Sequence, residues 1–331
     1  MKTSAQFPDP TSENDAADEP PRFDLAFDAP VGPLTRVSPL VRRIVAPNPG
    51  PFTFTGTCTY VVGQGSVAVI DPGPESPEHV EALLAGLDGE KIAAILVTHT
   101  HRDHSPAARL LQQATGAEIL GCPPHVAARE MALGEINKLD ASNDLDHRPD
   151  RVLADGEAFA GSGFSLRALA TPGHTMNHVC FELVEEKALF TGDHVMGWST
   201  SIVAPPDGAM RLYLDSLERL RTFDHAIYWP GHGGPVTQPQ RFLRALLHHR
   251  RAREKSILAA LAAGPSRIPE IVEKVYEKLD PRLKGAAALS TFAHLEDLVE
   301  RGAVATEGAP QLDGVFRIAY SVFERSGNRF A

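Results

Sequence analysis

One nine-residue run constrains this chain more than any other: "THTHRDHSP" at 98–106, directly after the apolar stretch "IAAILV" at 92–97. A short apolar run bounded by polar residues reads as a buried strand. On extended backbone, residues two apart point the same way, so His99 and His101 share one target. Asp103 and His104 follow where the chain turns. Ser105 is expected to cap, and Pro106 to open, a helix running to about residue 115. Imidazole nitrogens and a carboxylate are ligands that zinc accepts at about 2.0–2.2 Å. Three later strand ends repeat the theme: "ALATPGHTMNH" carries His174, "ALFTGDHV" carries Asp193 and "AIYWPGHGG" carries His232. Each alone is an ordinary turn residue. Four such clusters in one domain point to one ligand cage at one sheet edge.

The rest of the chain narrows the setting. Its 331 residues are 43% hydrophobic, enough for one large domain or two ordinary ones. No stretch approaches the roughly 18 uninterrupted apolar residues of a membrane span. The polar, acidic N-terminus is neither a secretory signal nor a basic transit peptide. Cys58, Cys122 and Cys180 are odd in number and far apart, which suits buried thiols and a cytoplasmic location. Residues 1–35 hold seven acids against Lys2 and Arg22, half of the net charge of −10, and are expected to form a disordered acidic tail. The remaining −5 says little about partners.

Strands are expected at 57–63, 66–71, 92–97, 117–121, 164–170, 179–184, 187–191 and 225–229. Helices are expected over 76–87, with Ser76 as N-cap, and 209–222. That order predicts a layered α/β domain over 36–237. Beyond it, 240–263 reads as a long helix closed by Gly264 and Pro265. Ser266 would cap a second helix over 268–279, and a third follows at 286–301. "AVAT" and "VFRIAY" would then pair as a two-stranded ribbon, giving residues 238–331 the outline of a linker helix and a winged-helix-like α domain.

With Asp71 in "VIDPG", the motif "THTHRDH", His174, Asp193 and His232, residues 40–237 resemble the metallo-β-lactamase superfamily. The resemblance implies an αββα sandwich holding two zinc ions, in sites that iron or manganese can also enter. It would place His99, His101 and His174 on one ion and Asp103, His104 and His232 on the other, with Asp193 bridging. The order is that of glyoxalase II-like and nuclease-like members, and unlike β-lactamases that use cysteine in place of Asp193. "NPGPFTFTGTCTY", "GDHVMGWSTSIVAPPDG" and "HHRRARE" are further similar to the lactamase-β-like branch that ends in a winged helix. The animal member of that branch cuts single-stranded RNA. Cys58 departs from it, standing where the branch carries asparagine.

The implied chemistry is hydrolysis of an ester-type bond by a metal-bound hydroxide, with Asp103 or Asp193 taking up a proton. Asp71 would orient a ligand imidazole or serve only as a turn residue. His178 would act as an oxyanion donor or support a ligand, or else bond a backbone carbonyl, and His194 should point away from Asp193. In "GWSTSIVAPPDG", Trp198 and the loop would line a substrate cleft or form an ordinary apolar turn. Arg250 belongs to a basic helix face at 241–255 that would hold phosphates or tie the domains together. Three functions follow: hydrolysis of a small-molecule ester or thioester, cleavage of a phosphodiester in single-stranded RNA, or a non-catalytic metal-stabilised binding module. "IPEIVEKVYEKLDPRLKG" nearly balances acids and bases and lacks a basic aromatic patch, so nucleic acid enters only as substrate. The winged-helix unit is expected to lid the site or to join two copies in a homodimer. No membrane partner is expected.

Overall fold

A computed structural model describes residues 19–132, 135–276 and 279–319 of the protein. The first half of the expected tail, 1–18, and the end of the expected ribbon, from Tyr320, lie outside them. Two β-sheets form the centre. The first contains β1 (Thr35–Arg36), β2 (Val41–Val45), β3 (Cys58–Gln64), β4 (Ser66–Ile70), β5 (Lys91–Val97), β6 (Glu118–Gly121) and β7 (Arg151–Val152), ordered as in the chain. It is antiparallel up to β4 and parallel beyond. The second contains β8 (Ala158–Ala160), β9 (Ser165–Ala170), β10 (Val179–Leu183), β11 (Ala188–Gly192) and β12 (Ile227–Pro230). Its strands are antiparallel except for the parallel pair β11–β12.

The period-two side-chain pattern of a strand explains the layering. Leu166, Ala168, Phe181, Leu183, Ala188 and Phe190 join the core between the sheets, while Leu169, Cys180 and Leu189 enter a second core on the other face. That second core is closed by α3 (Met210–Leu220) and the first half of α4 (Pro239–Ala262). On the outer face of the first sheet lie α1 (Pro77–Leu87), with Leu83 and Leu87 buried, and α2 (Ala107–Thr115), with Leu111 buried. The αββα sandwich is thus complete. Ser76 caps α1 as expected, accepting a hydrogen bond from the His79 amide at 3.2 Å. Ser105 does not cap α2. Its hydroxyl donates instead to the Asp144 carboxylate at 2.8 Å, and the helix opens at Ala107.

The C-terminal unit contains α5 (Ile268–Val275), α6 (Lys284–Glu300) and a three-stranded sheet, not a two-stranded ribbon: β13 (Ser266–Arg267) pairs with β15 (Val315–Ile318), which pairs with β14 (Val304–Ala305). Ser266 is therefore a strand residue opposite Phe316. The α5 start is held instead by the Glu270 carboxylate, which accepts from the Arg267 amide at 2.9 Å. The helix also stops at Val275, short of the expected 279, because Tyr276 leaves helical backbone at φ −128°, ψ 59°. Its ring lies 3.9 Å beneath the Arg253 guanidinium.

Two boundaries differ from expectation. Residues 19–35 are not a free tail: Glu19 pairs with Arg241 at 2.8 Å, and the Asp24 amide donates to the Gly197 carbonyl at 2.9 Å. The Phe23 ring also meets Phe242 edge-on at 6.1 Å. At the other border, α4 serves both units, with Leu243, Leu246 and Leu247 in the core beside α3 and Ile257, Ala260 and Leu261 in the C-terminal core. Among the described residues, no helix is long and apolar enough to cross a membrane.

Candidate metal centre

The carboxyl ends of β4, β5, β9, β11 and β12 meet at one edge of the sandwich, where open α/β sheets place ligands. Asp71 follows β4, His99 to His104 follow β5, His174 follows β9, Asp193 follows β11 and His232 follows β12. All seven expected ligand residues converge there. His101 Nδ1 lies 3.0 Å from His99 Nε2 and 3.1 Å from His174 Nε2, while Asp193 Oδ2 stands 3.8 Å from His174 Nε2. Beside this set, His232 Nε2 lies 3.2 Å from His104 Nε2 and 3.1 Å from Asp103 Oδ2. Asp193 Oδ1 is 3.4 Å from both His104 and His232, so one carboxylate reaches both groups.

The donor set fits a divalent cation. Ligand atoms about 2.0–2.2 Å from a tetrahedral ion stand about 3.3–3.6 Å apart, close to the separations here. The other nitrogens of His99, His104, His174 and His232 are engaged, which fixes which lone pair points inward. His104 Nδ1 donates to Asp71 (2.9 Å), His174 Nδ1 to the Ile202 carbonyl (2.6 Å) and His232 Nδ1 to the Gly56 carbonyl (3.3 Å). His99 Nδ1 meets the Thr98 hydroxyl at 3.0 Å. Burial, reinforced by neighbouring imidazoles, pushes His99 well below the usual histidine range and His101 down to about 3, so both offer lone pairs. Burial acts the same way on His104 and His232. There the Asp103 and Asp193 carboxylates outweigh it, holding His104 well above its ordinary value and raising His232 to about 9. The cluster draws positive charge into a buried place.

Asp71 plays both parts foreseen for it. Its backbone is left-handed at φ 48°, as a strand-end turn demands, and its carboxylate accepts from the Thr98 amide (2.8 Å) and hydroxyl (2.7 Å) as well as from His104. Both oxygens are so occupied, and Asp71 also stands with His99 and His104 in a group close enough to hold a cation. Asparagine tolerates the same backbone and can still accept from Thr98, but it cannot hold His104 with a negative charge. Asp71→Asn is expected to weaken metal affinity by roughly 10–100-fold while leaving the fold intact. Competition against a graded chelator series checks this, and unchanged affinity would reduce Asp71 to its turn role.

Other expectations resolve differently. His178 does not reach the cavity: it stacks behind His99 with centroids 5.1 Å apart, and its Nδ1 pairs with the Thr171 hydroxyl at 2.8 Å, not with a carbonyl. An oxyanion-donor role has no geometric basis. His194 does turn away from the cluster, packing on Tyr213 at 4.8 Å. Arg250 lies buried beneath the loop that follows Asp193, where it donates to the Ser201 carbonyl, with its guanidinium 5.1 Å over the Tyr213 ring. Arg241 pairs with Glu19, Arg251 with Glu218 at 2.7 Å, and Arg253 donates to the Val275 carbonyl at 2.7 Å. These arginines tie segments together, in line with the structural one of the two readings of the basic face on α4. Trp198 stacks on Phe54 at 4.9 Å and borders a chamber next to the ligand cavity.

Above the cluster is a cavity of about 130 Å³ walled by Phe52, Leu139, Met196, Ile202 and Ala204 together with His101, Asp103, His174 and Asp193. Asp207 closes it, accepting from Asn137 and Asn143 at 2.8 Å each and lying 3.3 Å from His125. Ile202, Ala204 and Asp207 belong to the loop of Trp198 that the sequence places at a substrate cleft. Phe52, Leu139 and Met196 were not singled out by sequence, because they come from loops without periodicity.

A sandwich with a histidine–aspartate cluster at its strand ends defines a metal-dependent hydrolase. Residues 52–232 match the metallo-beta-lactamase superfamily and residues 268–312 the beta-lactamase associated winged helix domain, and the chain belongs to that superfamily. It is 30% identical over 297 residues to the lactamase-like protein adaB of Aspergillus niger, covering 84% of this chain and 86% of the relative. The atrochrysone carboxyl ACP thioesterase of Aspergillus fumigatus is 29% identical over 261 residues, 73% of this chain and 75% of its own. Among solved structures, a beta-lactamase domain protein from Burkholderia ambifaria superposes with a TM-score of 0.74 at 22% identity, over 90% of this chain and 97% of that one. A metallo-beta-lactamase family protein from Thermus thermophilus gives 0.66 at 25%, over 86% and 100%. The fold carries the divalent-metal chemistry of its superfamily.

Proposed function

We propose that the protein is a cytoplasmic thioesterase: a dinuclear zinc hydrolase that cleaves a small-molecule thioester or ester. The observation that carries this reading is Asp193, whose carboxylate stands between two histidine-rich groups at the floor of a largely apolar cavity. Relatives named as thioesterases support the choice of bond. Three buried, unpaired thiols suit a reducing compartment.

Bound zinc would supply Lewis acidity and a water acidic enough to attack near neutral pH. The chain's residues do the rest. His99, His101 and His174 would hold one ion and Asp103, His104 and His232 the second, with Asp193 shared. Phe52, Met196 and Ile202 exclude bulk water and seat the acyl group against the ligand edge. The Asp103 side chain is 26% exposed against 10% for Asp193, so Asp103 is the more open of these two cavity-lining carboxylates and the better placed to accept the proton. The partners of Arg241, Arg250, Arg251 and Arg253 within the protein support a small-molecule substrate over RNA.

The test pairs metal analysis with a substrate panel on the full chain. About two zinc ions per chain and turnover of a thioester, lost in His99→Ala, are expected. Cleavage of labelled single-stranded RNA above the His99→Ala background, without thioester turnover, would replace the proposal.

A further inference from the structure

The cavity over the ligand cluster abuts a second chamber that reaches the C-terminal unit. Phe52, Met196 and Ile202 wall the cavity on one side and border the second chamber, of about 200 Å³, on the other. The far wall of that chamber belongs to the C-terminal unit, through Tyr276, Leu279 and Ala286. Neither chamber alone reaches the roughly 300 Å³ at the low end of small-molecule clefts, whereas the two joined do. The winged-helix unit is thus a wall of the cleft.

The polar atoms of the second chamber point to what it takes. Trp198 Nε1 and Arg250 Nε are buried without a hydrogen-bond partner among the described residues, and both residues line the chamber. Tryptophan and arginine nitrogens only donate. Buried donors left unpaired cost free energy, so these two are satisfied best by acceptor oxygens on a ligand. Ser199, Thr200, Ser201, His249 and Ser290 add polar groups to the lining, and Phe52, Met196, Ile202, Leu279, Leu283 and Ala286 give it an apolar part.

We infer that the second chamber is the subsite for the distal part of the acyl group, selecting extended acyl chains that carry an oxygen over short or purely alkyl ones. The inference rests on the thioesterase reading for the bond that is cleaved. Three thioesters of one thiol test it: acetyl, octanoyl and 7-oxo-octanoyl, whose second oxygen lies at the far end of the chain. In the unmodified protein kcat/KM should rise at least tenfold from acetyl to octanoyl, and at least threefold again to 7-oxo-octanoyl. Ala286→Trp fills the chamber and should lower kcat/KM for octanoyl at least tenfold more than for acetyl. Trp198→Phe should erase the advantage of the 7-oxo group. Should Ala286→Trp fail to fold, as read by thermal melting, Ala286→Leu and Leu279→Phe supply milder blocks.

Equal losses across the panel, or acetyl as the best substrate, would overturn the inference. Calorimetric binding of the matching non-hydrolysable thioethers separates the two readings. Chain-dependent binding without cleavage of any thioester sinks the thioesterase and keeps the subsite. Cleavage without chain dependence in kcat/KM or binding does the opposite.

Discussion

Asp193→Ala is expected to bind fewer than two metal ions per chain and to lose thioester turnover by roughly 10³-fold or more. The size follows from what metal ions contribute to such reactions, several kcal/mol, at about 1.4 kcal/mol for each factor of ten. Among the described residues, Asp193 has the one carboxylate that stands within 4 Å of His174 on one side and of His104 and His232 on the other. Truncating Asp103, which approaches only His104 and His232, leaves the first histidine set untouched. The two variants should therefore differ: Asp103→Ala retains the ion held by His99, His101 and His174, whereas Asp193→Ala weakens both. Elemental analysis and steady-state kinetics on the same preparations check this. Two equivalents retained in Asp193→Ala would show that the carboxylate is not shared.

The second large effect is conformational. Gly173 precedes His174 with φ 138°, a backbone region nearly closed to other residues. A Cβ there would lie 2.3 Å from the backbone nitrogen and Cα of Tyr213, in the first turns of α3. The Ala209 amide also donates to the Gly173 carbonyl at 2.9 Å, so the helix start is seated on this turn and has no room to retreat. Gly173→Ala is expected to destabilise the protein by more than about 4 kcal/mol, in the range of the most severe single substitutions. Gly116 provides the contrast. Its φ is also positive, at 72°, but a Cβ there meets nothing within 4 Å. Gly116→Ala should cost only about 1–2 kcal/mol from backbone strain. Denaturant unfolding of both variants measures the difference, and similar losses would mean that the Tyr213 contact relaxes freely.

The ligand cluster was legible because its residues are few in kind and sit where apolar runs stop. Strand ends are visible in a sequence, and histidines and aspartates at several of them need a common reason. The cavity wall was not legible in the same way. Phe52, Leu139, Met196, Ile202 and Asp207 come from irregular segments with neither period two nor period 3.6, and only the folded chain brings them together. The serine caps failed for a related reason. A hydroxyl at a helix start is a local signal, but Ser105 is claimed by Asp144, 39 positions away, and Ser266 by strand pairing with Phe316. The basic stripe of α4 left two readings open for the same reason, since its partners Glu19 and Glu218 lie far off in sequence. Local chemistry predicted local structure, and long-range partners decided the exceptions.

The 24 residues of α4 run about 36 Å without a break. One end is embedded beside the catalytic sheet and the other is the backbone of the C-terminal bundle. A splint of this kind leaves little freedom for one body to swing over the other as a trapdoor, so admission of substrate falls to the loops that line the cleft. It also sets how the protein can be dissected. Cutting at the apparent border near residue 237 would strip Leu243, Leu246 and Leu247 from the catalytic half and leave a greasy scar, whereas a cut past the middle of the rod would carry its own seal.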